Sequence, residues 1–199
     1  MCLGVRALNK FKSSIVFLVI LFFAYVTPAY SQSPLESVDS KDLVGKIVEL
    51  SGNEDKKEEL GIYFKEVLDR VAKQEPFAMH YFGWYQYQLC KSYREIGVKA
   101  VSEKMCVKAL SNFKKVAANP AIQFRYISSE SMYLLGEMYL EGMGSEASKY
   151  IAADWFGKSA KQRYQIGNRE GAMRAMGKSL ELIPDNPSLI ELRDQVLRE

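Results

Sequence analysis

Leu135-Gly136-Glu137-Met138-Tyr139-Leu140-Glu141-Gly142-Met143-Gly144, followed by Ala152-Ala153-Asp154-Trp155-Phe156-Gly157-Lys158-Ser159-Ala160, decides how this chain folds. The stretch reads as two helices joined by a glycine turn. Gly136 lets neighbouring helices approach, Tyr139 and Trp155 fill the space between them, and Gly142 and Gly144 free the backbone for the reversal. Ala152 and Ala160 supply small residues on the second helix. Part of this pattern occurs earlier, where Leu89, Tyr93 and Gly97 precede Ala109, Phe113, Lys115 and Ala117. The last four recur 43 residues later, and Leu89 and Tyr93 recur 46 residues later, as a comparison of the two stretches shows. A period of this size indicates stacked helix pairs. The earlier copy differs in having Cys90 where the later one has Gly136. Its Tyr93-to-Ala109 spacing exceeds the Tyr139-to-Ala152 spacing by three residues, which predicts a longer loop.

Working outward, the spacing predicts helices on both sides. Asp39 to Leu50 forms a short helix ended by Ser51-Gly52-Asn53. Leu60, Phe64, Val67, Leu68 and Val71 recur at three- and four-residue steps from Glu54 to Gln74, and Glu75-Pro76 stops that helix. Phe77 to Ile96 and Val101 to Ala118 follow, separated by Gly97. Ser128 or Ser129 is placed to cap a helix running to Glu141. Further helices are expected from Ser148 to Tyr164, Asn168 to Leu182 and Pro187 to Leu197, the last started by Asn186 ahead of a proline at the first helical position. Seven or eight helices with short loops and almost no strand-like alternation predict an all-α, right-handed solenoid.

The quoted stretch resembles a Sel1-like repeat, covering residues 129–164, with a degenerate copy at about 77–118. Gly167-Asn168-Arg169-Glu170-Gly171-Ala172-Met173, continuing through Lys178 to Pro187, is similar to the second helix of a tetratricopeptide repeat, covering about 150–187; Ala172 is its small residue and Pro184 its stop. A helix at 187–198 caps the array. The helix holding Trp155 is then second in the Sel1-like unit and first in the tetratricopeptide-like one. What the resemblance implies is binding of a protein or peptide on a helical face, with no cofactor and no catalysis.

The N-terminus gives the compartment. Arg6, Lys10 and Lys12 precede an apolar run from Ile15 to Val26 and then Ala29-Tyr30-Ser31, the layout of a secretory signal peptide over residues 1–31. Cleavage after Ser31 is expected, with cleavage after Ala29 or a retained anchor as alternatives, and the body is expected to be periplasmic or secreted. Residues 32–55 then form a polar segment with a short helix, ahead of the solenoid at 56–199. Without residues 1–31, 24 basic residues balance 24 acidic ones, so net charge gives no reason to expect a nucleic-acid partner. Charge is nonetheless uneven: Lys91 to Arg125 holds eight basic and two acidic residues, and Glu36 to Glu75 eleven acidic and seven basic.

Cys90 and Cys106 remain in the exported chain. If the hairpin turns between Ile96 and Val101, the two sulfurs sit at similar heights on facing helices. A disulfide is expected; the alternative is two small buried apolar residues. The single histidine, His80, has no second histidine to join it in a metal site or catalytic dyad, and Glu137 with Glu141, like Glu54 with Glu58, reads as a solvated pair. Met132, Met138, Met143, Met173 and Met176 read as core filling, and Tyr81, Tyr85, Tyr87 and Tyr93 as hairpin interior or exposed anchors. No nucleophile elbow, phosphate loop or zinc spacing occurs. The expected function is an exported scaffold or regulator; the alternative is a structural or assembly subunit of an envelope complex such as a secretion or conjugation machine.

Overall fold

A computed structural model of the protein describes residues 35–198, so the expected signal peptide lies outside the described residues. The described residues form eight α-helices and no strand, an all-α fold. No described helix is long and apolar enough to cross a membrane. The chain divides into two compact units, Met1–Lys73 and Gln74–Glu199.

In the first unit α1 (Ser40–Leu50) pairs with α2 (Lys57–Ala72), joined through a short 3-10 turn at Glu54–Lys56. Asp39 starts α1 because its carboxylate accepts from the Lys41 amide at 2.7 Å. Leu43, Val44, Ile47 and Leu50 form the buried stripe of α1, with Leu60 and Val67 buried on α2. Arg70 ties the incoming chain to this pair. Its Nε donates to Glu66 Oε1 at 2.8 Å, and its terminal nitrogens donate to the carbonyls of Leu35, Glu36 and Val38 and to Ser40 Oγ at 2.8 to 3.1 Å. Gln74, with φ 58, takes a left-handed backbone just after α2, and Pro76 then opens α3.

The second unit holds α3 (Pro76–Glu95), α4 (Lys99–Ala117), α5 (Arg125–Glu141), α6 (Lys149–Gln165), α7 (Arg169–Leu182) and α8 (Pro187–Arg198). Phe113, Phe156, Ile127, Leu135, Met138, Met176 and Leu189 are among its large, fully buried side chains. Two of the expected helix starts are capped by their own side chains here. Ser148 Oγ accepts from the Ile151 amide at 3.3 Å before α6, and Asn168 Oδ1 from the Gly171 amide at 2.9 Å before α7. Ser128 and Ser129 do not cap α5. The 3-10 turn Ile122–Phe124 runs directly into a helix that starts at Arg125, so both serines lie buried inside it. Ser128 Oγ donates to the Ala117 carbonyl at 3.3 Å, linking α5 to α4, and Ser129 Oγ donates back to the Tyr126 carbonyl at 2.7 Å.

The turns between helices correct the loop expectation. Ile96, Gly97 and Val98 alone join α3 to α4, whereas residues 142–148 join α5 to α6. The extra residues of the first copy extend α4 instead: Ala109 is the eleventh residue of its helix and Ala152 the fourth, a shift of two turns. The close approach moves with them. A Cβ on Gly136 would lie 2.7 Å from the Phe156 ring, and in the first pair it is Gly83 that faces Phe113, at 3.1 Å, and not Cys90. The hairpin that matches α3–α4 in its turn is α6–α7. Gly97 and Gly167 both have φ 77. Val98 N donates to Tyr93 O and Asn168 N to Arg163 O, each at 2.9 Å, and the Gly97 and Gly167 amides bond to Arg94 O and Tyr164 O at 3.1 and 2.9 Å. Tyr93 and Arg163, the matching residues under these turns, are both buried.

Candidate binding face

Three contacts join α3 to α5. His80 Nδ1 lies 2.8 Å from Ser131 Oγ, Tyr87 Oη donates to Glu137 Oε2 at 3.3 Å, and an Arg94 terminal nitrogen donates to the Glu141 carbonyl at 3.1 Å. The partners advance in the same direction along both helices, so α3 and α5 run parallel. Their seam goes from buried at His80 to exposed at Arg94 and Glu141.

The middle of the seam is its most charged part. Tyr87 is buried, yet its hydroxyl reaches the half-buried Glu137, while Lys91 Nζ sits 4.3 Å from the centre of the Tyr87 ring. Burial raises the Glu137 carboxyl above its ordinary range, opposed by the Tyr87 hydrogen bond and by Lys91; Lys178 of α7 acts on it in the same sense as Lys91. Burial, then the Glu137 and Glu141 charges, raises the Tyr87 phenol. Glu137 was expected to be a solvated carboxylate, paired with Glu141 on one helix face. The packing of α3 against α5 instead half-buries it, because Tyr87 comes to it from 50 residues earlier in the chain.

A second polar knot lies where α5, α6 and α7 meet. Arg163 donates to Glu130 Oε1 at 2.7 Å and to the Gly171 carbonyl at 3.2 Å, and its guanidinium lies 4.9 Å from the centre of the Tyr133 ring. It is nearly fully buried, and its Nε has no hydrogen-bond partner. This group ties three helices together.

The other sequence candidates sort by burial. His80 is buried beside Tyr81 and Phe113, and burial pushes its pKa down to about 4. Of the tyrosines, Tyr87 and Tyr93 are buried and Tyr81 and Tyr85 half-buried. Met138, Met143 and Met176 fill the core, while Met132 and Met173 are half-buried. Cys90 and Cys106 face each other across the α3–α4 hairpin with sulfurs at disulfide-bonding distance and Cα atoms 5.1 Å apart. Ser102 Oγ donates to the Cys90 carbonyl at 3.0 Å beside them. Gly144, with φ 73, lays the α5–α6 loop on the same place: a Cβ there would sit 2.7 Å from the Cys106 carbonyl carbon, so a side chain has neither the backbone conformation nor the room. Sequence spacing could bring the cysteines together because they share one hairpin. Tyr87 and Glu137 are on different hairpins, and only the α3–α5 register joins them.

Among the described residues no group of three or more His, Cys, Asp or Glu side chains is placed to hold a metal ion. What the seam can do chemically is donate and accept hydrogen bonds and present charges of both signs on a helical frame. No family model, curated protein or solved structure matches this chain.

Proposed function

We propose that this protein is an exported scaffold or regulator, built of Sel1-like and tetratricopeptide-like helix pairs, that binds a protein or peptide partner in the cell envelope. The observation that carries this reading is the seam between the parallel helices α3 and α5. Tyr87, Lys91, Arg94, Glu137 and Glu141 line it, with Lys178 of α7 close enough to act on Glu137. Exposed charges of both signs along a helical seam suit recognition of a polypeptide. Catalysis has little support, because the one histidine is turned into the core against Ser131. The cysteine pair supports an oxidising compartment, in keeping with the leader-like Arg6 to Ser31 segment.

Photocrosslinking in intact cells tests the proposal. A benzophenone side chain in place of Glu141 or Lys178 is expected to give a discrete protein adduct that the same group at Glu191 of α8 does not give. No adduct at either seam position, or the same adducts from all three, would overturn it. Recovery in fixed ratio with one larger complex would mark a structural subunit and count against a regulator.

A further inference from the structure

We infer that the bond between Cys90 and Cys106 is made on the open α3–α4 hairpin, by exchange with a protein disulfide donor, and is then sealed by the α5–α6 loop. Cys90 is fully buried and Cys106 is 2 % exposed. Residues 142–148 lie against both helices that carry the pair. On α4, a Cβ on Gly144 would come within 2.7 to 2.8 Å of the Cys106 carbonyl carbon and oxygen and of the Val107 amide nitrogen, so the loop rests on the Cys106 peptide itself. On α3, Arg94, one turn beyond Cys90, donates at 3.1 Å to the Glu141 carbonyl, where the loop begins. The loop is also held from within. Met143 is buried, its amide donates to the Met138 carbonyl at 2.8 Å, and the Ser148 amide donates to the Tyr139 carbonyl at 2.8 Å.

Exchange needs access that this arrangement withholds, because a thiolate must reach a disulfide sulfur and pass through a mixed disulfide. Forming the bond takes two such steps. One cysteine thiolate attacks the donor's disulfide, giving a mixed disulfide and releasing one donor thiolate. The other cysteine thiolate then attacks the first cysteine's sulfur, and the donor leaves with its second sulfur reduced. Two electrons pass from the cysteine pair to the donor, and the two thiol protons end on the donor's dithiol. A protein donor cannot approach sulfurs that the docked loop closes in, so the exchange belongs to a state in which α3 and α4 have paired and the loop has not docked. The hairpin has the means to align the sulfurs by itself: the three-residue turn at Ile96–Val98, and Ser102 Oγ donating to the Cys90 carbonyl at 3.0 Å. Chain order agrees, since both cysteines precede Gly144 and N-terminal segments are made first. The inference rests on the cysteine bridge and not on the binding face.

Reduction of the folded protein by dithiothreitol, read by alkylation and mass measurement, tests the seal. The wild-type bond is expected to be reduced far more slowly in buffer than in urea, because the reagent must wait for the loop to open. Gly144→Ala places a Cβ where there is neither room nor a favourable backbone, and is expected to speed reduction in buffer about tenfold; Arg94→Gln should speed it less. Gly167→Ala is the control, with φ 77 but nothing within 4 Å of the added Cβ, in another hairpin, and should leave the rate in buffer unchanged. A second arm tests the order of events. Reduced protein diluted from urea into a glutathione redox buffer with protein disulfide isomerase is expected to form the bond faster than reduced protein first allowed to fold under dithiothreitol. Wild-type reduction as fast in buffer as in urea, equal effects of Gly144→Ala and Gly167→Ala, or equal oxidation of the two reduced samples would overturn the inference. If Gly144→Ala does not fold, Arg94→Gln decides: faster reduction than wild type supports the seal, and an equal rate overturns it.

Discussion

At the scale of single residues, His80 shows how one buried polar group links stability to pH. Its ring is packed beside Phe113 with Nδ1 on Ser131 Oγ, and burial holds its pKa near 4 against an ordinary 6.5. The folded protein keeps the ring neutral where the unfolded chain would take up a proton. The stabilisation is therefore fully present above pH 6.5 and is lost as pH falls through about 4. The shift corresponds to roughly 3 kcal/mol. Glu137 works in the opposite direction, because a raised carboxyl pKa gains stability as pH falls. Urea unfolding of the wild type should thus weaken between pH 7 and pH 4, and His80→Gln, which can still hydrogen-bond to Ser131, should lose most of that dependence. Parallel pH profiles for the two proteins would show that His80 is not the titrating group.

At the scale of helices, the α3–α4 hairpin carries two constraints close together: the three-residue turn at Ile96–Val98 and the cysteine pair below it. Linking residues 16 apart stabilises by about 3 kcal/mol in the chain-entropy model. Cys90→Ala/Cys106→Ala is expected to lower unfolding free energy by about that much, and reductant should lower the wild type but not the variant. Two free thiols in the oxidised wild-type protein would refute the bridge. Helix starts were legible in the sequence at Asp39, Ser148 and Asn168, and the structure shows a short polar side chain reaching an amide within its own turn at each. Ser128 and Ser129 carry the same local signal, yet their hydroxyls bond to carbonyls, because the chain had already become helical at Arg125. The echo between Phe113 and Phe156 identified the second helices correctly. It could not show that α4 is two turns longer at its start, since added helix and added loop have the same length in sequence. The seam was least legible of all, because Tyr87 and Glu137 meet only through tertiary register.

At the scale of the whole molecule, the division at Lys73 and Gln74 makes a prediction about cooperativity. α1 and α2 are tied to their own N-terminal segment by Arg70, whose guanidinium donates to Glu66, Ser40 and three carbonyls. Replacing it with leucine removes those donors and breaks its buried ion pair with Glu66. Breaking a buried ion pair in this way costs about 3–5 kcal/mol, a large share of what so small a unit can hold. Arg70→Leu should therefore strip amide-exchange protection from α1 and α2 while leaving α3 to α7 protected at wild-type rates. Protection lost evenly along the chain would mean instead that the two units unfold as one. Because the seam belongs to the second unit, binding there should survive the substitution, and its loss would point to the same single cooperative body.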